Sequence, residues 1–121
     1  MVRFLALVVG AMLLGTVAHA TPPQAVLTWT APTTNLDGSA ITATLTYNVY
    51  QAVQGAILVK VQSAVATTTE TLTAGLTAGS IQCFAVSAIA NGVESAQSNT
   101  ACVAIPFPTP GVPTQITVVI H

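Results

Sequence analysis

Charge is almost missing from this chain: 121 residues carry two basic and three acidic side chains. Arg3 lies in the apolar N-terminal segment, so from Thr21 onward Lys60 is the only cation, set against Asp37, Glu70 and Glu94. That excludes nucleic-acid binding, which needs several Lys or Arg to neutralise phosphates. Attraction to anionic lipid and bidentate capture of carboxylates fail for the same reason. Histidine is equally scarce, with nothing between His19 and His121. A nucleophilic Ser or Cys then has no positioned imidazole base, and zinc lacks the set of ligands it takes. The sequence predicts no enzyme, no cofactor and no metal site. Beyond residue 20, Thr, Ser and Gln interrupt every apolar run, so none is long enough to span a bilayer.

What is there begins with MVRFLALVVGAMLLGTVAHA. Arg3, an apolar run from Phe4 to Leu14 and the small residues of Ala18-His19-Ala20 make residues 1–20 a predicted signal peptide, cut between Ala20 and Thr21. The run falls short of the ~20 residues of a membrane span, so contact with a membrane is confined to this leader. Export places the rest in the periplasm or outside, at a cell or virion surface. Residues 21–105 have the length of one small domain, 106–113 form a Pro-rich linker, and 114–121 a strand-like tail. Thr, Ser, Gln and Asn must keep this chain soluble, and low net charge protects weakly against self-association.

Short alternating runs rich in Thr and Val predict an all-β fold. AVLTWT puts Leu27 and Trp29 on one face. After the Asp37-Gly38 turn, ITATLTYNVYQA places Ile41, Ala43, Leu45, Tyr47 and Val49 in one register, read as a long strand. Gln54-Gly55 turns the chain into ILVKVQ, and TTTETL makes a further strand. GLTAGS is a corner leading to IQCFAVSAIA, in which Gln82, Phe84, Val86 and Ala88 share a face. Asn91-Gly92 is a strong hairpin signal, and SNTACVAI its return strand.

Two cysteines in an exported chain favour a disulfide over two free thiols. Cys83 facing Cys102 would set Phe84 against Ala101 and Val86 against Asn99, with the midpoint between Gly92 and Val93. Closing that loop stabilises by ~3 kcal/mol in the chain-entropy model.

LTWTAP (27–32), DGSAI (37–41), YNVY (47–50), GLTAG (75–79), FAVSAI (84–89) and NGVESAQSN (91–99) occur in an order and spacing that resemble the fibronectin type III domain. The likeness covers about residues 25–104 and is nearest to the compact versions found in secreted bacterial and bacteriophage-encoded proteins. It implies an immunoglobulin-like two-sheet sandwich, with Leu27, Trp29, Tyr47, Val49, Leu76, Phe84 and Val86 in the core. Three departures stand out. Gln82 occupies the place of the family's corner tyrosine, Ala78 that of a corner proline, and TPPQ gives almost nothing for a first strand.

Glu70 and Glu94 are the carboxylates to weigh for glycoside hydrolysis, but both read as solvated surface, Glu70 pointing outward from its strand. Asp37 reads as a turn residue bonded to its own backbone. Loops 33–40, 51–56 and 91–97 could form one recognition edge for a neutral polar ligand such as a glycan, with Tyr50 as an aromatic on the outer face. The function predicted is a secreted structural or adhesive module that contacts or spaces proteins; the alternative is a module binding carbohydrate or another neutral polar ligand. Two readings of the tail stand beside this. It is the stub of a tandem array, or residues 114–120 supply the missing strand, to their own domain or to a neighbour's.

Overall fold

The computed structural model describes residues 22–121; the predicted leader and the cut between Ala20 and Thr21 lie outside them. The described residues contain no helix, and seven strands make two sheets. β1 (Ala25–Thr28) pairs antiparallel with β4 (Thr69–Leu72). The larger sheet runs β3 (Val59–Val65), β2 (Thr46–Val53), β5 (Ile81–Ala90), with β6 (Val93–Glu94) and β7 (Ala101–Ala104) both against β5. A two-stranded ribbon of four-residue strands is not stable alone, so β1 and β4 depend on the face they cover.

That face is built by alternation. Val49 and Phe84 point inward with Leu72, Leu76 and Ile105, and Ala25, Leu27, Trp29, Val65 and Val86 pack half-buried around them. Tyr47 is buried edge-on to Trp29, ring centroids 5.3 Å apart. Ile105 joins this core because its N–H donates to the carbonyl of Ser80 and its own carbonyl accepts from Gly79, both at 2.8 Å. The next residue but one, Phe107, lays its ring over Gly79. A Cβ there would stand 2.3 Å from the ring's Cζ.

Several strand limits differ from the sequence reading. The run from Ile41 to Leu45 is irregular, and β2 begins only at Thr46. Its partner fixes this: Thr46 pairs with Ile89 one residue before β5 ends, and before it the chain bonds elsewhere, the Ile41 N–H donating to the Thr33 carbonyl. β3 starts two residues later than predicted and carries irregularities in register between Tyr47 and Tyr50 of its partner, with Ala64 in the left-handed region at φ 56°. Glu70 does not point outward. It pairs with Leu27 and lies two residues from buried Leu72, on the inward face of β4, half-buried at its end.

The return strand is split. Asn91 (φ 52°) and Gly92 (φ 75°) are the central residues of a two-residue turn, so Ala90 pairs with Val93 and the midpoint falls between Asn91 and Gly92, not one place later. Yet Cys83 still faces Cys102, and Phe84 faces Ala101, as the sequence predicts. The return side therefore holds two extra residues between Glu94 and Ala101, and Val86 meets Ser98 instead of Asn99. Two serines bridge the slack. Ser95 Oγ accepts from the N–H of Ala88 at 2.9 Å, and Ser98 Oγ from that of Val86 at 3.0 Å. Each hydroxyl thus replaces a ladder carbonyl that the extra residues have displaced.

The tail also departs from expectation. Residues 105–121 form no strand, and Gln115 sits at φ 56°, off the extended conformation. Among the described residues nothing pairs with residues 114–121, so they do not fill the vacant place in their own sandwich.

Candidate functional site

The outer face of the β2–β5 pair carries Asn48, Tyr50 and Ala52 beside Ser87, Ala85 and Cys83. Cys83 and Cys102 are disulfide-bonded there, and no free cysteine remains. The Asn91-Gly92 turn folds Glu94 back over this face, and one carboxylate oxygen collects three donors. Ser87 Oγ donates to Glu94 Oε2 at 2.5 Å, Asn48 Nδ2 at 3.1 Å, and the Tyr50 hydroxyl completes the set. These bonds, Ser87's above all, then Tyr50's and Asn48's, hold the Glu94 carboxyl down to about 2. Glu94 is thus no free surface acid. It is ionised and committed, the wrong state for a general acid. The register of β2 on β5, which sets Asn48 opposite Ser87, is the signal that could have revealed this cluster.

A second polar group lies inside the sandwich at its other end. Gln51 Nε2 donates to the backbone carbonyl of Ala74 and to Gln82 Oε1, both at 3.2 Å, while Gln82 Nε2 donates to Ser80 Oγ at 2.9 Å. Gln82, which the resemblance sets in the place of a corner tyrosine, makes no bond to the corner backbone; that bond comes from Gln51.

The three loops do not form one edge. Thr46 pairs with Ile89 and Val53 with Gln82, so the turn at Gln54-Gly55 and the turn at Asn91-Gly92 lie at opposite ends of the β2–β5 ladder, ~23 Å apart by strand rise. Loop 33–40 is closed on itself. Thr34 bridges Ala40, Asn35 N–H donates to Ser39, and Asp37 Oδ1 accepts from the N–H and hydroxyl of Ser39 at 2.9 and 2.6 Å. The Ser39 hydroxyl, then its N–H, holds the Asp37 carboxyl below the usual carboxylate range. No group of three or more His, Cys, Asp or Glu among the described residues could hold a metal ion.

One open groove is mostly apolar. Between the outer edge of β1 and β7 runs a groove of about 800 Å³, floored by Leu27, Trp29, Phe84, Val86 and Ile105 and rimmed by Val26 and Val103. No charged side chain lines it. The backbone N–H of Trp29 donates to the carbonyl of Thr68, just before β4, so by the alternation of an antiparallel ladder the N–H and C=O groups of Val26 and Thr28 face away from β4. Among the described residues no strand meets them. Among the described residues, nothing occupies the place that the resemblance gives to a first strand.

The fold is similar to the crystal structure of an Fn3-like protein from Clostridium thermocellum, with 28% sequence identity over 75% of this chain and 85% of that one, at a TM-score of 0.54. No family model and no curated protein matches the sequence.

Proposed function

We propose that this fibronectin type III-like domain is an exported, non-catalytic module that joins or spaces proteins at a cell envelope or virion surface. One observation carries the reading. The polar side chains that could address a soluble ligand are tied to one another, Glu94 to Ser87, Tyr50 and Asn48, and Gln51 to Gln82, while an uncharged groove beside an unpaired strand edge stays open. Backbone edges and apolar grooves are surfaces that other polypeptides use. The disulfide supports an oxidising compartment, and no helix among the described residues is long and apolar enough to cross a membrane.

Expression of the whole chain in a bacterium, followed by fractionation and intact-mass measurement, tests the setting. The expected species starts at Thr21, lies outside the cytoplasm and is two hydrogen atoms lighter than its reduced form. An uncleaved cytoplasmic chain with two free thiols would refute export. Retention on a panel of insoluble glycans tests the role: none is expected, and saturable retention competed by a defined sugar would replace the contact reading with a carbohydrate-binding one.

A further inference from the structure

The groove has a length, a chemistry and a hydrogen-bonding edge, and the chain carries a segment that matches all three. β1 offers four residues, with Val26 and Thr28 presenting free N–H and C=O groups and the Val26 side chain 64% exposed. Thr114 to Ile120 is TQITVVI, an uncharged run whose Ile116, Val118 and Ile120 fall on one side when extended. All three are among the most exposed apolar side chains of the domain, Ile116 and Ile120 above nine-tenths. Neither groove nor segment has a charge to repel the other or to be desolvated unpaired.

The linker decides whose groove the segment can reach. Pro106, Pro108, Pro110 and Pro113 have no N–H, so residues 106–113 cannot continue as a paired strand beside the groove, although Pro106 lies at its mouth. In polyproline geometry they carry Thr114 ~25 Å away, about twice the span of β1. The chain's own tail leaves the groove empty.

We propose that residues 114–120 of a second copy of this chain insert beside β1, antiparallel to it, and complete the sandwich by strand addition. Ile116, Val118 and Ile120 lie over Leu27, Trp29 and Val86, and Gln115 moves from its left-handed φ to an extended one. Donor and acceptor are different surfaces, so the contact is head-to-tail and leaves one free groove and one free tail at the ends of every assembly. Growth is open unless the rotation between copies closes a ring. The proposal names the partner in the contact function above and rests on that reading only for the exported, oxidised setting.

Two variants separate donor from acceptor. Removal of residues 114–121 deletes the donor without touching any bond of the domain, since those residues pair with nothing in it. Thr28→Pro removes an outward N–H that β4 does not use and so blocks the edge. By sedimentation velocity on the mature, oxidised protein, the whole chain gives a mass that rises with concentration, and each variant alone is a monomer. Mixed, the two give a one-to-one complex and nothing larger. If Thr28→Pro fails to fold, Val118→Lys in the whole chain serves in its place, expected to be a monomer, and a soluble TQITVVI peptide is expected to bind the tail-deleted protein saturably. A whole chain that stays monomeric at high micromolar concentration overturns the proposal, as does association that survives tail deletion. A monomer that loses stability on tail deletion assigns the tail to its own groove and overturns the second copy as partner. Failure here leaves the glycan and export tests unaffected.

Discussion

Ser87, nearly inaccessible in the middle of β5, places its hydroxyl 2.5 Å from Oε2 of Glu94 and so pins the two-residue strand β6 to the outer face of the sheet. Asp37, bonded to Ser39, is used in the same way, as a fastener. The sign of the pH effect follows. Because the folded Glu94 carboxyl is held at about 2 and its ordinary value is 4.5, the unfolded chain binds the proton first as pH falls. The stability from this group is fully present above about pH 4.5 and is lost as pH falls through about 2. Urea midpoints across that window should fall for the native protein and fall less for Glu94→Gln. Since every other ionisable group is common to both proteins, the difference between the curves isolates Glu94. Parallel curves would mean the three bonds do not form.

Gln51 and Gln82 should behave as a unit. Gln51→Leu takes the donor from the Ala74 carbonyl and strands the buried Gln82 amide oxygen, and is expected to cost about 1–3 kcal/mol. Gln82→Leu strands Gln51 in turn. The double variant should cost less than the sum of the two, by at least ~0.5 kcal/mol, because neither amide is then left without its partner. Urea denaturation of the four proteins of the cycle reads this directly, and simple additivity would show that the amides act separately.

Gly79 combines φ 82° with the Phe107 ring lying over it. Gly79→Ala puts a side chain into the left-handed region, about 1–2 kcal/mol, and displaces the ring. Thermal unfolding should register the cost. Proteolysis should register the displacement, as faster cleavage in residues 106–113 once Phe107 no longer holds the start of the linker.

The disulfide joins residues separated by 19 positions. Cys83→Ala with Cys102→Ala should lower stability by ~3 kcal/mol through the freedom returned to the unfolded chain. The effect belongs in the unfolding midpoint under oxidising conditions, and a reductant should destabilise the native protein but not the double variant.

The elements legible in the sequence are those whose cause is local. β5 is a ten-residue run of mostly apolar and small residues with turn signals on either side, and Asn91-Gly92 carries the positive φ values that its turn type demands. The start of β2 was hidden because partner length, not the apolar pattern of Ile41, Ala43 and Leu45, ends the ladder at Thr46. The split return strand was hidden because two serine hydroxyls act as ladder acceptors, which no hydropathy pattern displays. Leu72 and Ile105 escaped the predicted core for different reasons: one ends a Thr-rich strand, and the other precedes a proline that looks like the start of the linker. Of the candidate site, the weak strand character of TPPQ was readable, whereas the ties on Glu94 and the opposed positions of the loops needed the register of β2 on β5.

The central claim is that the outer edge of β1 is a strand place kept open for another copy's tail, and amide hydrogen exchange at Val26 and Thr28 tests it most directly. At a concentration where the whole chain associates, both amides should exchange slowly. In the protein lacking residues 114–121 they should exchange at the rate of an unpaired edge, while Trp29, bonded to Thr68, stays protected in both. Equal, fast exchange of Val26 and Thr28 in the two proteins would contradict the account.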